Sequence, residues 1–216
     1  MMIMLYSLQF TFVIFFIVIS VFFRIRQKQI KRLNKQANTD NLTGLRNRLY
    51  FYRYTRGLVK NKTNHFAIVY LDLDGFKEIN DSMGHSTGDQ LLIQFANRLT
   101  QNFSEKDVVV RLSGDEFAVV ILDCESRFEL KTKLDGIKLK INKNYNLNGK
   151  IAKCTSSIGV AIYPDDSDNF EDILINADIA MYASKKKGKN KVAFFTEEMK
   201  KEFNEKTEIR KLLSHA

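Results

Sequence analysis

The ten residues His65 to Asp74 (HFAIVYLDLD) constrain this chain more than any other stretch. They form a near-continuous apolar run ending in acids, the pattern of a central strand covered on both faces. An acid inside such a run is costly to bury without a partner. A strand end at the surface accounts for Asp74. It accounts less well for Asp72, which lies between Leu71 and Leu73.

Helical and strand patterns alternate around that run from Asp40 onward. Helices are predicted at Leu45 to Val59, at Phe76 to Met83 and at Thr87 to Phe103, the last with Leu91, Leu92, Phe95, Ala96 and Leu99 on one face. Val108 to Leu112 and Glu116 to Leu122 read as strands separated only by Ser113, Gly114 and Asp115, a hairpin signal. A lysine-rich amphipathic helix follows at Arg127 to Asn142, then a strand at Cys154 to Tyr163. Phe170, Ile173, Leu174, Ala177 and Met181 mark a further helix, and Lys191 to Phe195 a last short strand. This order implies a ferredoxin-like α+β fold, a mainly antiparallel sheet with helices packed on one face. If the hairpin pairs beside the first strand, Asp72 and Asp115 converge. Two carboxylates, with nucleotide phosphates completing the octahedron, suit Mg²⁺. Gly75 and Gly114 would let phosphate oxygens approach the backbone closely.

Ahead of this domain, Ile3 to Phe23 carries no charge and is long enough to span a bilayer as a helix. Basic residues follow the apolar run instead of preceding it, and Val21-Phe22-Phe23 is a poor cleavage site, so an uncleaved anchor is expected. The positive-inside rule then places Arg24 onward in the cytoplasm and leaves only a few residues outside. The chain holds 34 basic and 25 acidic residues, a net charge of +9. Six of the basic ones (Arg24, Arg26, Lys28, Lys31, Arg32 and Lys35) form a stripe with no acid among them. Such a stripe beside an apolar segment faces anionic lipid head groups more readily than nucleic acid. Arg24 to Thr39 reads as a helix. Phe23, Ile30, Leu33 and Ala37 approach heptad spacing, interrupted by Arg26, so a solvated connector and a weak coiled coil pairing two chains both fit. Cys124 and Cys154 have no metal-type spacing and read as buried free thiols, and the three histidines form no zinc pattern.

Six motifs then become specific together: DNLTGLRNR (Asp40 to Arg48), LDLDGFKEIND (Leu71 to Asp81), GHSTGDQLL (Gly84 to Leu92), RLSGDEF (Arg111 to Phe117), SIGVAIYP (Ser157 to Pro164) and ADIAMYASKKKGKNKV (Ala177 to Val192). In this order and spacing the chain resembles the GGDEF domain of bacterial diguanylate cyclases, from Asp40 to about Phe195. The resemblance implies a nucleotide-cyclase, palm-type fold. Domains follow as an anchor (1–23), a basic linker (24–39), the GGDEF-type domain (40–196) and a helical tail (197–216). It also implies condensation of two GTP molecules, one on each of two domains, into cyclic di-GMP and two pyrophosphates. Mg²⁺ or Mn²⁺ is the implied cofactor, and a homodimer through the linker and GGDEF domains the implied assembly. The implied location is the bacterial cytoplasmic membrane, single-pass, with the lipid bilayer as a further partner and no nucleic acid.

By position, Asp72 and Asp115 match the family's metal ligands, with the Leu73 carbonyl as an extra ligand and Glu116 assisting catalysis. Asn80 and Asp89 match the readers of the guanine edge. Lys77, Lys185 and Lys189, with the backbone of Gly75, Phe76 and Gly114, match the phosphate-binding groups. Each position also has a plainer reading. Ser86-Thr87-Gly88-Asp89 fits a capping box, and Lys185 to Lys187 end a helix where cations complement its dipole. Asp40 and Arg48 are expected to pair at the domain entrance.

Three departures stand out. Ser113 occupies a position usually held by glycine, where it needs a compatible φ. Lys189 replaces a common arginine and loses its bidentate fork. Ser104-Glu105-Lys106-Asp107 lacks the arginine of the family's product-inhibition motif. The segment from Phe194 to Ala216 resembles the connector that leads, in composite proteins, into an EAL phosphodiesterase domain. That likeness fits either a truncated composite or a tail helix that simply packs or pairs. Two functions follow: an active diguanylate cyclase, or a catalytically inactive GGDEF-type module that binds GTP or a partner.

Overall fold

The computed structural model describes residues 19–30, 32–34, 36–62, 65–124 and 126–214. Most of the apolar segment Ile3 to Phe23 lies outside them. Among the described residues no helix is long and apolar enough to cross a membrane. The chain divides into two compact units, Met1–Thr39 and Asp40–Ala216. In the first, residues 19–30, 32–34 and 36–38 are helical.

The second unit runs β1 (Arg46–Asn47), α1 (Arg48–Lys60), β2 (Phe66–Asp74), α2 (Phe76–Met83), α3 (His85–Asn102), β3 (Val108–Ser113) and β4 (Glu116–Leu122). It continues with α4 (Arg127–Ile141), β5 (Tyr145–Leu147), β6 (Lys150–Ala152), β7 (Thr155–Tyr163), α5 (Phe170–Lys186), β8 (Val192–Phe194) and α6 (Glu197–Ser214). The main sheet has the order β1-β3-β4-β2-β7-β8. Its central pairs are antiparallel, whereas β1–β3 and β7–β8 at the two edges are parallel, making the sheet mixed.

Strand β2 is central because both its faces are apolar. Ala67, Val69, Leu71 and Leu73 pack with α3 and α4 residues such as Leu91, Phe95, Leu99, Leu134 and Ile137. Phe66, Ile68 and Tyr70 point the other way and pack with Phe51 of α1 and Ile173, Ala177 and Ala180 of α5. Each Val, Leu, Ile or Phe among them contributes about 1.5–3 kcal/mol on burial. Helices therefore cover both faces, correcting the expectation of one helical layer. The physical reason lies in β2 itself: a strand apolar on both faces from Phe66 to Leu71 has two faces to hide.

Side chains set several of the helix ends. Asn47 Oδ1 accepts from the Tyr50 N–H at 3.0 Å and starts α1 three residues later than its periodicity suggested. Asn169 Oδ1 accepts from Glu171 and Asp172 N–H at 2.8 and 3.1 Å and starts α5. At the C-terminal end of α4, Arg98 donates to the Ile141, Lys143 and Asn144 carbonyls at 3.4, 2.9 and 2.6 Å. Its guanidinium lies 3.7 Å from the Tyr145 ring centroid. The small β5–β6 hairpin and β1 are too short to carry a periodic signal and were not foreseen.

Candidate functional site

The site forms at the C-terminal end of β2. Asp72 is register partner to Glu116 of β4 on one side and Ser157 of β7 on the other. In strand alternation Asp72 follows Ile68 and Tyr70, so its side chain points to the α5 face. Lys185, in the last turn of α5, meets it there, with Nζ 2.6 Å from Asp72 Oδ2. Only 8% of Asp72 is exposed. Burial pushes its carboxyl above the usual range; Lys185 opposes that shift, while Asp115 and Glu116 add to it. Asp115 sits in the β3–β4 turn, with its carbonyl accepting from Leu73 N–H at 3.3 Å. Burial raises its carboxyl too, with Glu116 adding and Lys185 opposing. The hairpin thus brings Asp115 and Glu116 beside Asp72, as its pairing beside the first strand required, and α5 adds Lys185.

Asp74 is fully engaged elsewhere. It accepts from Thr155 Oγ1 and Ser157 Oγ, each at 2.7 Å, and from Asn190 N–H at 3.2 Å. It ties β2 to β7 and to the loop after α5, a latch more specific than an exposed strand end. Behind it, burial lifts the Cys154 thiol to about 12. Both cysteines are free and buried, as expected.

The turn Ser113-Gly114-Asp115 is braced from outside. Arg111 donates to the Gly114 carbonyl through Nε at 3.0 Å and Nη2 at 2.8 Å. Its Nη1 lies 3.0 Å from Asp40 Oδ1. Asp40 also accepts from Thr43 N–H and Oγ1. Asp40 therefore pairs with Arg111 and not with Arg48, which donates to Tyr52 Oη at 3.3 Å. Parallel pairing sets Asn47 opposite Arg111 and carries the domain entrance alongside β3. Gly114 takes the left-handed φ of 44°, whereas Ser113 is not among the positive-φ residues and fits its place without strain. Ser113 Oγ donates to Glu116 Oε2 at 2.7 Å. Neither contact was legible in the sequence.

A second group lies on α2 and α3. Gly75, φ 77°, turns the chain from β2 into α2, whose first residue is Phe76. Lys77 is exposed on α2, Asn80 is half-buried and Asp89 is exposed in the first turns of α3. Helix α3 begins at His85 with no side-chain cap, so the Ser86–Asp89 capping box is not formed. Lys189, exposed at φ 60°, follows Gly188 and is held by its N–H to the Ser184 carbonyl at 3.1 Å.

One acidic neighbour was missed. Asp178 of α5 lines a groove of about 350 Å³ with Arg48, Tyr52, Tyr70 and Glu116. Close packing on one side, although the residue keeps an exposed edge, raises its carboxyl, and Glu116 adds to the effect. Its seven-residue spacing from Lys185 was the available signal, since it puts both on one face of α5. Among the described residues no group of three or more His, Cys, Asp or Glu side chains is arranged to hold a metal ion. Two carboxylates raised by burial, already countered by an ammonium against Asp72, nonetheless form a hard-oxygen donor set suited to a divalent cation.

Comparison with known proteins shows the family and the fold. Residues 37–191 match the family described as "Diguanylate cyclase, GGDEF domain". The bifunctional diguanylate cyclase/cyclic di-GMP phosphodiesterase MucR of Pseudomonas aeruginosa is 34% identical over 83% of this chain and 26% of its own length. The diguanylate cyclase TpbB of the same species is 34% identical over 76% of this chain and 38% of its own. The chain thus spans well under half of these curated relatives. The solved GGDEF domain of TpbB, 32% identical, covers 77% of this chain and 99% of that one at a TM-score of 0.71. By this match over most of its length, the chain belongs to the diguanylate cyclase GGDEF-domain family.

Proposed function

We propose that this protein is a diguanylate cyclase that condenses two GTP molecules into cyclic di-GMP across a pair of GGDEF domains. The observation that carries the reading is the convergence of Asp72 and Asp115 beside Lys185 in a family member. Asp72 and Asp115, with the Leu73 carbonyl, would hold the cation, Mg²⁺ or Mn²⁺. Bound there, it would polarise the α-phosphate, lower the pKa of the attacking 3′-hydroxyl and neutralise the leaving pyrophosphate.

Asn80 and Asp89 orient guanine. A carboxylate that accepts and an amide that can do both select it over adenine, whose edge reverses the donor pattern. Lys77, Lys185 and Lys189, with the N–H groups at Gly75, Phe76 and Gly114, neutralise and position the triphosphate. Lys185 exchanges part of its contact with Asp72 for phosphate when the nucleotide and cation arrive together. Glu116, restrained by Ser113, lies beside the reacting centre. In each half-reaction a 3′-oxygen–phosphorus bond forms on the opposing GTP, the α–β bridging bond breaks and pyrophosphate leaves.

Two domains must face each other, so the active form is a homodimer. The helical residues Phe23, Ile30 and Leu33, exposed in a single chain, support pairing through the linker. The uncharged run Ile3 to Phe23 and its basic border support a single-pass anchor in the bacterial cytoplasmic membrane, with the domain on the cytoplasmic side. The inactive-module alternative was motivated by Ser113 and by the connector-like tail. The ordinary φ of Ser113 and its hydrogen bond to Glu116 favour the enzyme.

The test incubates the dimerised protein with GTP and Mg²⁺ and measures cyclic di-GMP, with Asp115→Ala as control. Product from the wild type alone is expected. GTP binding without product in the wild type would replace the cyclase by the binding module.

A further inference from the structure

Glycine is the least favourable helix residue after proline, so a buried glycine inside a helix needs a reason. Gly88 is buried in the first turn of α3. It is absent from the positive-φ glycines, so backbone conformation is not that reason. Space is. A Cβ placed at Gly88 would lie 1.9 Å from Asn80 Oδ1, 2.9 Å from Asn80 Cγ and 3.3 Å from Phe76 Cζ. The notch left by the missing methyl group is filled by the Asn80 carboxamide.

We infer that Gly88 is a positioning residue for guanine recognition. It seats the carboxamide of Asn80 against the first turn of α3, beside Asp89, so that both side chains present to one base edge. This rests on the assignment of Asn80 and Asp89 to guanine made above. The obstruction is the end of a side chain and not backbone, so a residue larger than glycine at position 88 displaces Asn80 and leaves the helices in place. Alanine is also the better helix former, which makes Gly88→Ala a perturbation of the site and not of the fold.

The experiment titrates GTP with Mg²⁺ into the full chain and into Gly88→Ala, Asn80→Ala and the double variant. It also follows the Asn80 side-chain amide by NMR, assigned through its loss in Asn80→Ala. Gly88→Ala is expected to weaken GTP about tenfold and to move the Asn80 amide signal. Because Gly88 acts through Asn80, the double variant should bind no more weakly than Asn80→Ala alone. A double variant weakened by the product of the two single effects would overturn the inference. So would wild-type GTP affinity in Gly88→Ala with an unmoved amide signal. A wild type that ignores GTP, with the amide still moved by Gly88→Ala, would instead overturn the guanine assignment and uphold the positioning of Asn80.

Discussion

Gly159→Ala should separate α5 from the sheet and disturb fold and site together. Gly159 lies in the fully buried part of β7, paired with Tyr70 of β2 and Ala193 of β8. A Cβ there would meet Met181 N at 2.0 Å, Ala177 O at 2.3 Å and Met181 Cα at 2.6 Å, all backbone atoms of α5. Ordinary contact begins near 3.4 Å, so α5 must retreat by roughly 1.4 Å at this point. Overpacking against backbone lies at the upper end of its range, about 3 kcal/mol. The smaller conformational entropy of unfolded alanine offsets about 0.4–1 kcal/mol of this. A net loss of about 2–2.5 kcal/mol lowers Tm by roughly 4–10 °C in a domain of this size. The retreat also draws Lys185 away from Asp72, now 2.6 Å apart, and should weaken GTP binding. Thermal unfolding of Asp40–Ala216 measures the first effect and GTP titration the second. A Tm within about 2 °C of wild type would refute the packing argument.

Arg98→Ala removes the donor that satisfies three carbonyls after α4 and should cost about 2–3 kcal/mol, read as a lower urea midpoint. Ser113→Ala loses the 2.7 Å bond to Glu116 and should slow cyclic di-GMP formation about threefold to tenfold while GTP affinity holds. An unchanged rate would show that Glu116 needs no restraint. Burial raises the Asp40 carboxyl, but hydrogen bonds from Thr43 and Arg111 outweigh it and hold it below its usual range. The stability it contributes is therefore complete above the unfolded value of about 3.9 and lost as pH falls through the lower folded value. Asp40→Asn should be destabilised against wild type at pH 7, with the gap narrowing below about pH 4; a gap independent of pH would contradict this. In Ser104 to Asp107, the Asp107 carboxylate already accepts from Ser104 N–H at 2.9 Å and faces Lys133 at 3.5 Å, its side chain 3% exposed. Cyclic di-GMP added beforehand should leave the initial rate unchanged; a falling rate with tight binding at that stretch would contradict it.

Local pattern carried most of the elements because burial leaves a period in the chain. The apolar run of β2, the 3.6-residue spacing of α5 and the three-residue gap between β3 and β4 were each readable without tertiary structure. So was the meeting of Asp72 with the SGDEF turn, since a hairpin beside a strand permits few registers. What stayed hidden depends on contacts between distant residues. Asp40 reaches Arg111 across 71 positions, and no local spacing distinguishes that partner from Arg48. Asp74 finds Thr155 and Ser157 only because β2 and β7 are neighbours.

The sequence by itself therefore determined the family, the central strand and the two carboxylates at its end. Their chemistry is written in residue type and order. Only the tertiary structure decided that helices cover both sheet faces, that Lys185 neutralises Asp72 and that Asn80 occupies the notch at Gly88. Each of these is a matter of which surfaces meet when the chain closes, and closing is driven by burial summed over the whole domain.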